Sequence, residues 1–270
     1  MPTLDTVSQD YLFCLFKGEP GTRKSTAALS FPGPQYWIST DQKMDALITP
    51  ARAWGLDMKN ISYDDYNDWN KPRAKLESFQ LNCPFKTIVV DSITSMGDAI
   101  NRQTIKMKQG TKTADGKNKG GSVGGIAVNS MEDYKAEASA FQELIALLKD
   151  IHAFHKVNVI LIAHVIGARK PDDANASTHF ARIIVTGGQI ISAKIPAYCS
   201  EVYHFDIEQE MDASKPGHYG ILTEHTGNDF ARTSLPLPRR INFGGDPLYE
   251  KYILPAIQEN KKKIEPIVKI

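Results

Sequence analysis

The sequence predicts an α/β fold with a mostly parallel central sheet and helices on both faces. Three patterns predict it. Residues 11–16 form an apolar run of strand length that leads through a glycine-containing loop into a helix-forming stretch. Residues 87–91 form a β-branched run ending in an aspartate, as buried parallel strands do at the carboxyl edge of a sheet. A helical apolar repeat over residues 141–151 precedes a third strand-like run, residues 157–164, which ends in a histidine.

The loop after the first run matches a phosphate-binding pattern with one departure. The pattern is Gly, four residues, Gly-Lys, then Ser or Thr. Arg23 stands where the second glycine is expected. The backbone N–H groups of such a loop, at the start of a helix, bind the phosphates of a nucleotide. We therefore predict nucleotide binding by Gly18, Glu19, Pro20, Gly21, Thr22, Arg23, Lys24, Ser25 and Thr26.

The polar side chains of this loop have expected contacts. The ammonium of Lys24 would bind the β- and γ-phosphates of ATP, and the hydroxyl of Ser25 would bind Mg²⁺. Asp91, at the carboxyl edge of the sheet, would hold the same Mg²⁺ through water. Arg23 needs a backbone conformation that glycine adopts more readily, so either the loop accommodates it or nucleotide binding is weakened. Its guanidinium could also contact a phosphate.

Length and composition favour one α/β domain. The chain has 270 residues, of which 41% are hydrophobic, enough for one sizeable core. A net charge of +1 gives no overall attraction to DNA, so any contact needs a local basic patch. Cys14, Cys83 and Cys199 lack metal-binding spacing, and no apolar run is long enough to span a membrane, so we expect a cytoplasmic protein.

The C-terminal part is expected to add an antiparallel hairpin and a helical tail. Residues 219–223 and 230–232 are the expected hairpin strands, joined by the turn formers at 227–229. We expect the whole chain to be one domain, with a core over residues 11–245 and the helical tail over residues 246–270.

In this order the motifs resemble the RecA-like ATPase core. Ile88-Val89-Val90-Asp91-Ser92 is similar to the family's strand ending in Asp-Ser. Residues 36–41 resemble the strand ending in the acid that polarises the attacking water, and Ala163-His164 resembles the strand end that senses the γ-phosphate. Within the superfamily, the chain resembles the short phage type described as nucleotide-binding proteins or single-strand annealing recombinases.

The resemblance implies a Mg²⁺-dependent ATPase that binds single-stranded DNA and acts in phage-type recombination or annealing as a ring or filament of identical subunits. The implied catalytic residues are Lys24, Asp41, His164 and Arg232. Asp41 would orient water where RecA carries Glu, and His164 would replace the usual Gln as the γ-phosphate sensor. Arg232 would act on the γ-phosphate of a neighbouring subunit. A single-strand DNA-binding protein is a further implied partner, and the compartment is a host cytoplasm if a phage encodes the chain.

Two segments lie where this family has DNA-binding loops. Residues 106–121 are rich in lysine and glycine, and the alternative is a solvated insertion. Residues 169–189 follow His164 and carry mixed charge, so a plain connection is the alternative there. The expected DNA contacts are Lys106, Lys108, Lys112, Lys117, Lys119, Arg169 and Lys170.

Two other functions stay open. A nucleotide-dependent scaffold or loader that binds ATP without useful turnover is suggested by Arg23 and by Asp41, which is shorter than Glu. A small-molecule or nucleotide kinase also uses a phosphate-binding loop, but such kinases close an arginine-bearing lid over the acceptor. Residues 106–121 contain no arginine, and the Asp-Ser strand end favours the RecA-like function.

Overall fold

The computed structural model describes residues 10–109, 122–123, 126–127, 131–169, 179–183, 189–208, 217–226 and 229–264. The strands are β1 (Phe13–Gly18), β2 (Gln35–Ser39), β3 (Ile61–Asp65), β4 (Thr87–Asp91), β5 (Ser122–Val123), β6 (Ile126–Ala127), β7 (Asn158–Arg169), β8 (His179–Ile183), β9 (Glu201–Glu208), β10 (His218–Leu222) and β11 (Arg240–Asn242). The helices are α1 (Lys24–Leu29), α2 (Ile48–Ala53), α3 (Asn70–Leu81), α4 (Ile93–Gln109), α5 (Met131–His155), α6 (Gln189–Tyr198) and α7 (Leu254–Ile264).

The main sheet has the strand order β11-β10-β9-β1-β7-β4-β2-β3, and β8 pairs with the end of β7. The six neighbouring strands β9-β1-β7-β4-β2-β3 are parallel to one another. At the other end of the sheet, β10 pairs antiparallel with both β9 and β11. The predicted fold class, a mostly parallel sheet with a C-terminal antiparallel hairpin, is therefore confirmed. In the described ranges, no helix combines the length and apolar character needed to cross a membrane.

Alternate residues of β1 enter two hydrophobic cores. Phe13 and Leu15 pack on one face of the sheet with residues of α3, α4, α5 and α6. Cys14 and Phe16 pack on the other face with residues of α1, α2 and α7. Because both faces are covered, the central strands appear in the sequence as continuous apolar runs rather than alternating ones.

One predicted strand pairing is wrong. β10 matches the first expected hairpin strand, but it pairs with β9 and β11. Arg232 instead forms an isolated bridge with Val202 at the start of β9. The reason is burial, because Ile241 of β11 is 2% exposed in the core whereas Phe230 is 40% exposed. Residues 227–228 of the predicted turn lie outside the described residues.

A buried polar pair joins α4 to α5. Asn101 Nδ2 donates to Glu137 Oε2 at 2.9 Å, while Asn101 Oδ1 and Glu137 Oε1 have no hydrogen-bond partner among the described residues. Burial raises the pKa of Glu137 to about 7 against the opposing effect of the Asn101 hydrogen bond, and the nearby Asp98 raises it further. A proton on Glu137 Oε1 turns this oxygen into a donor, so that it no longer needs one, and an acceptor is available in Asn101 Oδ1.

The free energy of unfolding is expected to fall as pH rises through this pKa. The folded pKa of Glu137 lies above its ordinary value of 4.5, so its contribution is complete below about pH 4.5 and lost above about pH 7. The difference between these two pKa values corresponds to about 3 kcal/mol. In Glu137→Gln the amide supplies a permanent donor, so the urea midpoint of this variant should not fall between about pH 4.5 and pH 7. Glu143→Gln, on the same helix, is the control; equal pH slopes for Glu137→Gln and wild type would contradict the assignment.

Candidate active site

The phosphate-binding loop starts where β1 reaches the carboxyl edge of the sheet, between β7 and β9. Gly18 is needed there because a Cβ would lie 2.3 Å from the carbonyl oxygen of Phe205 on β9. Gly21 has a φ of 83°, in the left-handed region that favours glycine. Thr22 Oγ1 donates to the carbonyl of Glu19 at 2.8 Å and closes the loop on itself. Gly18, the first glycine of the motif, and Gly21 within the loop are thus both required by the backbone.

Arg23 adopts the conformation expected of the glycine that it replaces. Its φ is 65° and its ψ is 25°, so the loop accommodates the departure from the pattern. Its guanidinium carbon lies 3.9 Å from the centroid of the Tyr219 ring, and Nη1 donates to the carbonyl of Gly244 at 3.4 Å. The side chain therefore contacts β10 and the residues after β11, and a phosphate contact would have to replace these interactions.

Lys24 is held inside the loop. It is 4% exposed, and its ammonium donates to the carbonyls of Gly18 at 2.9 Å and Glu19 at 2.7 Å and to Thr22 Oγ1 at 3.2 Å. Burial lowers its pKa to about 8, and nearby carboxylates, Asp91 foremost, act in the opposite direction. The loop thus contains a protonated, partly desolvated cation at neutral pH, as binding of a phosphate requires.

The two predicted metal ligands contact each other. Ser25 Oγ donates to Asp91 Oδ2 at 2.7 Å across the β1–α1 and β4 ends. Burial raises the pKa of Asp91 and the hydrogen bond from Ser25 lowers it, while the neighbouring Asp41 carboxylate raises it further. Hydroxyl and carboxylate oxygens are ligands that Mg²⁺ accepts, and a divalent cation would stabilise two carboxylates held close together. The residues present fit Mg²⁺.

Asp41 and His164 form the second part of the cluster. Asp41 Oδ2 lies 3.3 Å from His164 Nε2, and Oδ1 accepts from Ser92 Oγ at 3.2 Å. Burial raises the pKa of Asp41, but hydrogen bonds from His164, Ser95 and Ser92 outweigh it and lower the pKa to about 2. His164 Nδ1 is buried and has no hydrogen-bond partner in the described part of the chain. The Asp41 carboxylate is thus ionised at neutral pH.

Two threonines that the sequence did not single out fix these strand ends. Thr40 Oγ1 donates to the carbonyl of Ser92 at 2.8 Å and accepts from the Ser92 N–H at 2.9 Å. Thr94 Oγ1 accepts from the His164 N–H at 3.0 Å. These bonds tie the ends of β2, β4 and β7 together. In the sequence, these threonines could have been found as polar residues next to the predicted strand ends.

A family model described as an AAA domain matches residues 11–235, which is most of the chain. The chain belongs to this AAA domain family. Membership implies nucleotide binding, in agreement with the phosphate-binding loop. No curated protein matches the sequence.

Two solved structures are similar to this AAA domain. The RadB recombinase aligns with a TM-score of 0.46 and 17% identity over 80% of this chain and 82% of that chain. A KaiC-like protein from the hyperthermophilic archaeon Pyrococcus horikoshii OT3 aligns with a TM-score of 0.45 and 15% identity over 84% of this chain and 85% of that chain. Similarity at this level identifies neither a substrate nor a partner for the AAA domain.

Arg232 lies away from the cluster. Its guanidinium donates to the carbonyls of Pro196 and Cys199 at the end of α6. It sits beside the first residues of β9, whereas the phosphate-binding loop is level with Phe205 further along that strand. Within one AAA domain this arginine therefore caps the carbonyl groups at the end of α6. Its contact with a nucleotide in a neighbouring subunit stays a prediction.

The predicted DNA-binding residues are only partly described. Lys106 and Lys108 lie in the last turn of α4, and β7 extends to Arg169. Lys106 borders a polar cavity of about 350 Å³. The other residues lining it are Asn67, Asp68, Arg102 and Gln103. The remaining predicted contacts, Lys112, Lys117, Lys119 and Lys170, lie outside the described residues.

Proposed function

We propose that this AAA domain binds ATP with Mg²⁺, hydrolyses it, and binds single-stranded DNA as a homo-oligomer. The observation that carries the proposal is the convergence of four strand ends on one edge of the sheet. Ser25 lies 2.7 Å from Asp91, and Asp41 lies 3.3 Å from His164, beside the buried ammonium of Lys24. A cation, a pair of metal ligands and an ionised carboxylate are what ATP hydrolysis requires.

Nucleotide binding would use contacts that the loop already makes internally. Lys24 would exchange its carbonyl partners for oxygens of the β- and γ-phosphates. Ser25 and Asp91 would hold Mg²⁺, which when bound neutralises the charge of the phosphates and of the leaving group. The loop N–H groups at the start of α1 would complete the phosphate contacts.

Hydrolysis would proceed by attack of water on the γ-phosphorus, with breakage of the bond to the bridging oxygen of ADP. Asp41, with a pKa of about 2, is a weak base, so it would orient the water through a hydrogen bond rather than remove its proton early. His164 would hold Asp41 in place. Because β7 continues beyond His164 to Arg169, a movement of the His164 backbone would also displace Arg169, one of the predicted DNA contacts.

The low pKa of Asp41 also favours a second candidate. A nucleotide-gated scaffold or loader would use the same binding contacts of Lys24, Ser25 and Asp91 with little hydrolysis. The two candidates differ only in turnover, so phosphate release distinguishes them.

DNA binding is proposed at the end of α4. Arg102 and Lys106 are exposed, lie one helical turn apart, and have no carboxylate within ion-pair distance among the described residues. The cavity beside them also contains Asp68, whose carboxylate lies 3.9 Å from Lys71. Two unpaired cations beside polar groups suit the phosphates of a single strand, and with a net charge of +1 a local patch must supply the attraction.

Single-stranded DNA is expected to stimulate hydrolysis through this patch. In the double variant Arg102→Ala/Lys106→Ala, stimulation and its salt dependence should drop, because each lost phosphate contact lowers the salt slope by about one. Phosphate release without DNA should be unchanged. Lys86→Ala, an exposed lysine before β4, is the matched control. Equal stimulation of the double variant and the wild type would place the DNA elsewhere, and no stimulation of the wild type would contradict DNA coupling.

We place this activity in phage-type recombination or annealing, with a single-strand DNA-binding protein as a further partner. A homo-oligomer is supported by β3, one of the two outermost strands of the sheet, whose second edge has no paired strand in the described ranges. Arg232 would then act on the nucleotide of the neighbouring subunit. The free thiols Cys14, Cys83 and Cys199 support a reducing cytoplasm.

A further inference from the structure

Arg23 occupies a backbone position that is unfavourable for it. A φ of 65° is a conformation that glycine adopts freely and a residue with a Cβ adopts only when its surroundings hold it. The arginine stands in the middle of the phosphate-binding loop, between the turn at Gly21 and the first residue of α1. Whatever holds Arg23 therefore also holds the loop.

The residues that hold Arg23 lie on β10 and directly after β11. The guanidinium stacks on Tyr219 of β10 at 3.9 Å and donates to Gly244 just beyond β11. Gly245 leaves room for it, because a Cβ there would lie 3.0 Å from Arg23 Nη1. The carbonyl of Gly245 accepts from the Trp54 indole N–H at 3.1 Å. The arginine thus links the phosphate-binding loop to β10 and to residues 243–245, which follow β11.

Residues 243–245 are themselves fixed to the sheet. The N–H of Phe243, a residue that is 1% exposed, donates to the carbonyl of Tyr219 at 2.9 Å. A planar guanidinium over an aromatic ring is attracted by the ring's quadrupole, which a lysine reproduces less well because its ammonium cannot stack. Among the described residues Arg23 has no carboxylate partner, so the ring and the Gly244 carbonyl are its interactions.

We infer that Arg23 is a positioning residue, which through Tyr219 holds the phosphate-binding loop in its nucleotide-binding conformation before the nucleotide arrives. This inference rests on the proposed binding of nucleotide by the same loop. A glycine at position 23 fits the motif better but releases the loop, and a released loop must be ordered when the nucleotide binds. The arginine therefore compensates for the missing glycine with a tether.

The test measures the Kd of MgATP by calorimetry and the Tm without nucleotide. Arg23→Gly, although it restores the motif, should weaken binding about three- to tenfold. Tyr219→Leu should weaken it by a similar factor, whereas Tyr219→Phe, which keeps the ring, should bind like wild type. The double variant Arg23→Gly/Tyr219→Leu should bind no more weakly than either single variant, because both remove the same contact.

The outcomes are separable. If Arg23→Gly binds MgATP as tightly as wild type or more tightly, or if the losses in the double variant multiply, the positioning role is wrong while nucleotide binding stands. A purely structural contact would lower Tm in Tyr219→Leu and leave the Kd unchanged, which also contradicts the inference. If the wild type binds no nucleotide, the proposed function fails and this inference fails with it.

Discussion

Lys24→Ala is expected to weaken ATP binding by about 100-fold or more while the protein stays folded. The ammonium is the buried cation of the loop, and removal of a charge-assisted contact to phosphate typically costs about 3 kcal/mol. Its present partners are the carbonyls of Gly18, the buried last residue of β1, and of the exposed Glu19. Because removal of the ammonium also removes its desolvation cost, the loss of these bonds is offset and the Tm should change little. Calorimetric titration with MgATP gives the affinity, and circular dichroism gives the fold.

Two further variants sharpen this result. Lys24→Met keeps most of the aliphatic volume and should lose affinity as fully as Lys24→Ala, since the charge is what matters. Lys43→Ala, an exposed lysine two residues after Asp41, should bind as wild type does. If either Lys24 variant retained wild-type affinity, the assignment of the phosphate-binding loop would be wrong.

Asp41→Asn is expected to lower ATP hydrolysis by about 100- to 1000-fold and to change the Kd for ATP by less than about threefold. Asparagine can still accept from Ser92, but it lacks the charge that orients the attacking water and pairs with His164. Steady-state phosphate release at saturating ATP measures the loss, and calorimetry measures the retained binding.

The matched control for this variant is Asp45→Asn, an exposed aspartate in the turn that follows. It should hydrolyse ATP at the wild-type rate. Wild-type turnover by Asp41→Asn would show that another group orients the water. Loss of ATP binding together with hydrolysis would give Asp41 a role in binding instead.

The central strands and their functional ends could be predicted because of how the sheet is buried. β1, β4 and β7 are covered on both faces, so they appear as apolar runs, and parallel strands place their last residues on one edge. Asp91 and His164 were found in this way. Their hydrogen bonds could not be predicted, because the contact between Asp41 and His164 joins the ends of β2 and β7 across β4, and residues 123 positions apart have no local pattern.

β9 could not be predicted because polar residues interrupt it. Glu201 is 0% exposed, yet a carboxylate in a sequence normally indicates solvent. Its partners are Tyr203, whose hydroxyl donates at 2.9 Å, and Thr233 and Ser234, about thirty residues later. Because the sequence does not predict β9, it offers no partner strand for β10 there, and residues 230–232 are predicted as the partner instead.

The contacts of the Arg23 side chain, within the active site, could not be predicted either. The motif places it in the loop and raises the question of how a non-glycine residue fits there. The answer lies in Tyr219 and Gly244, about two hundred residues away, which only the folded sheet brings beside the loop.

The most direct test of a Mg²⁺-dependent ATPase at this sheet edge is steady-state phosphate release from ATP by the wild-type chain, with Mg²⁺ and with EDTA. We expect release that requires Mg²⁺, because Ser25 and Asp91 form a metal-ligand pair and Asp41 stands ionised beside them. ATP that binds in the presence of Mg²⁺ without any phosphate release would contradict hydrolysis and leave the nucleotide-gated scaffold.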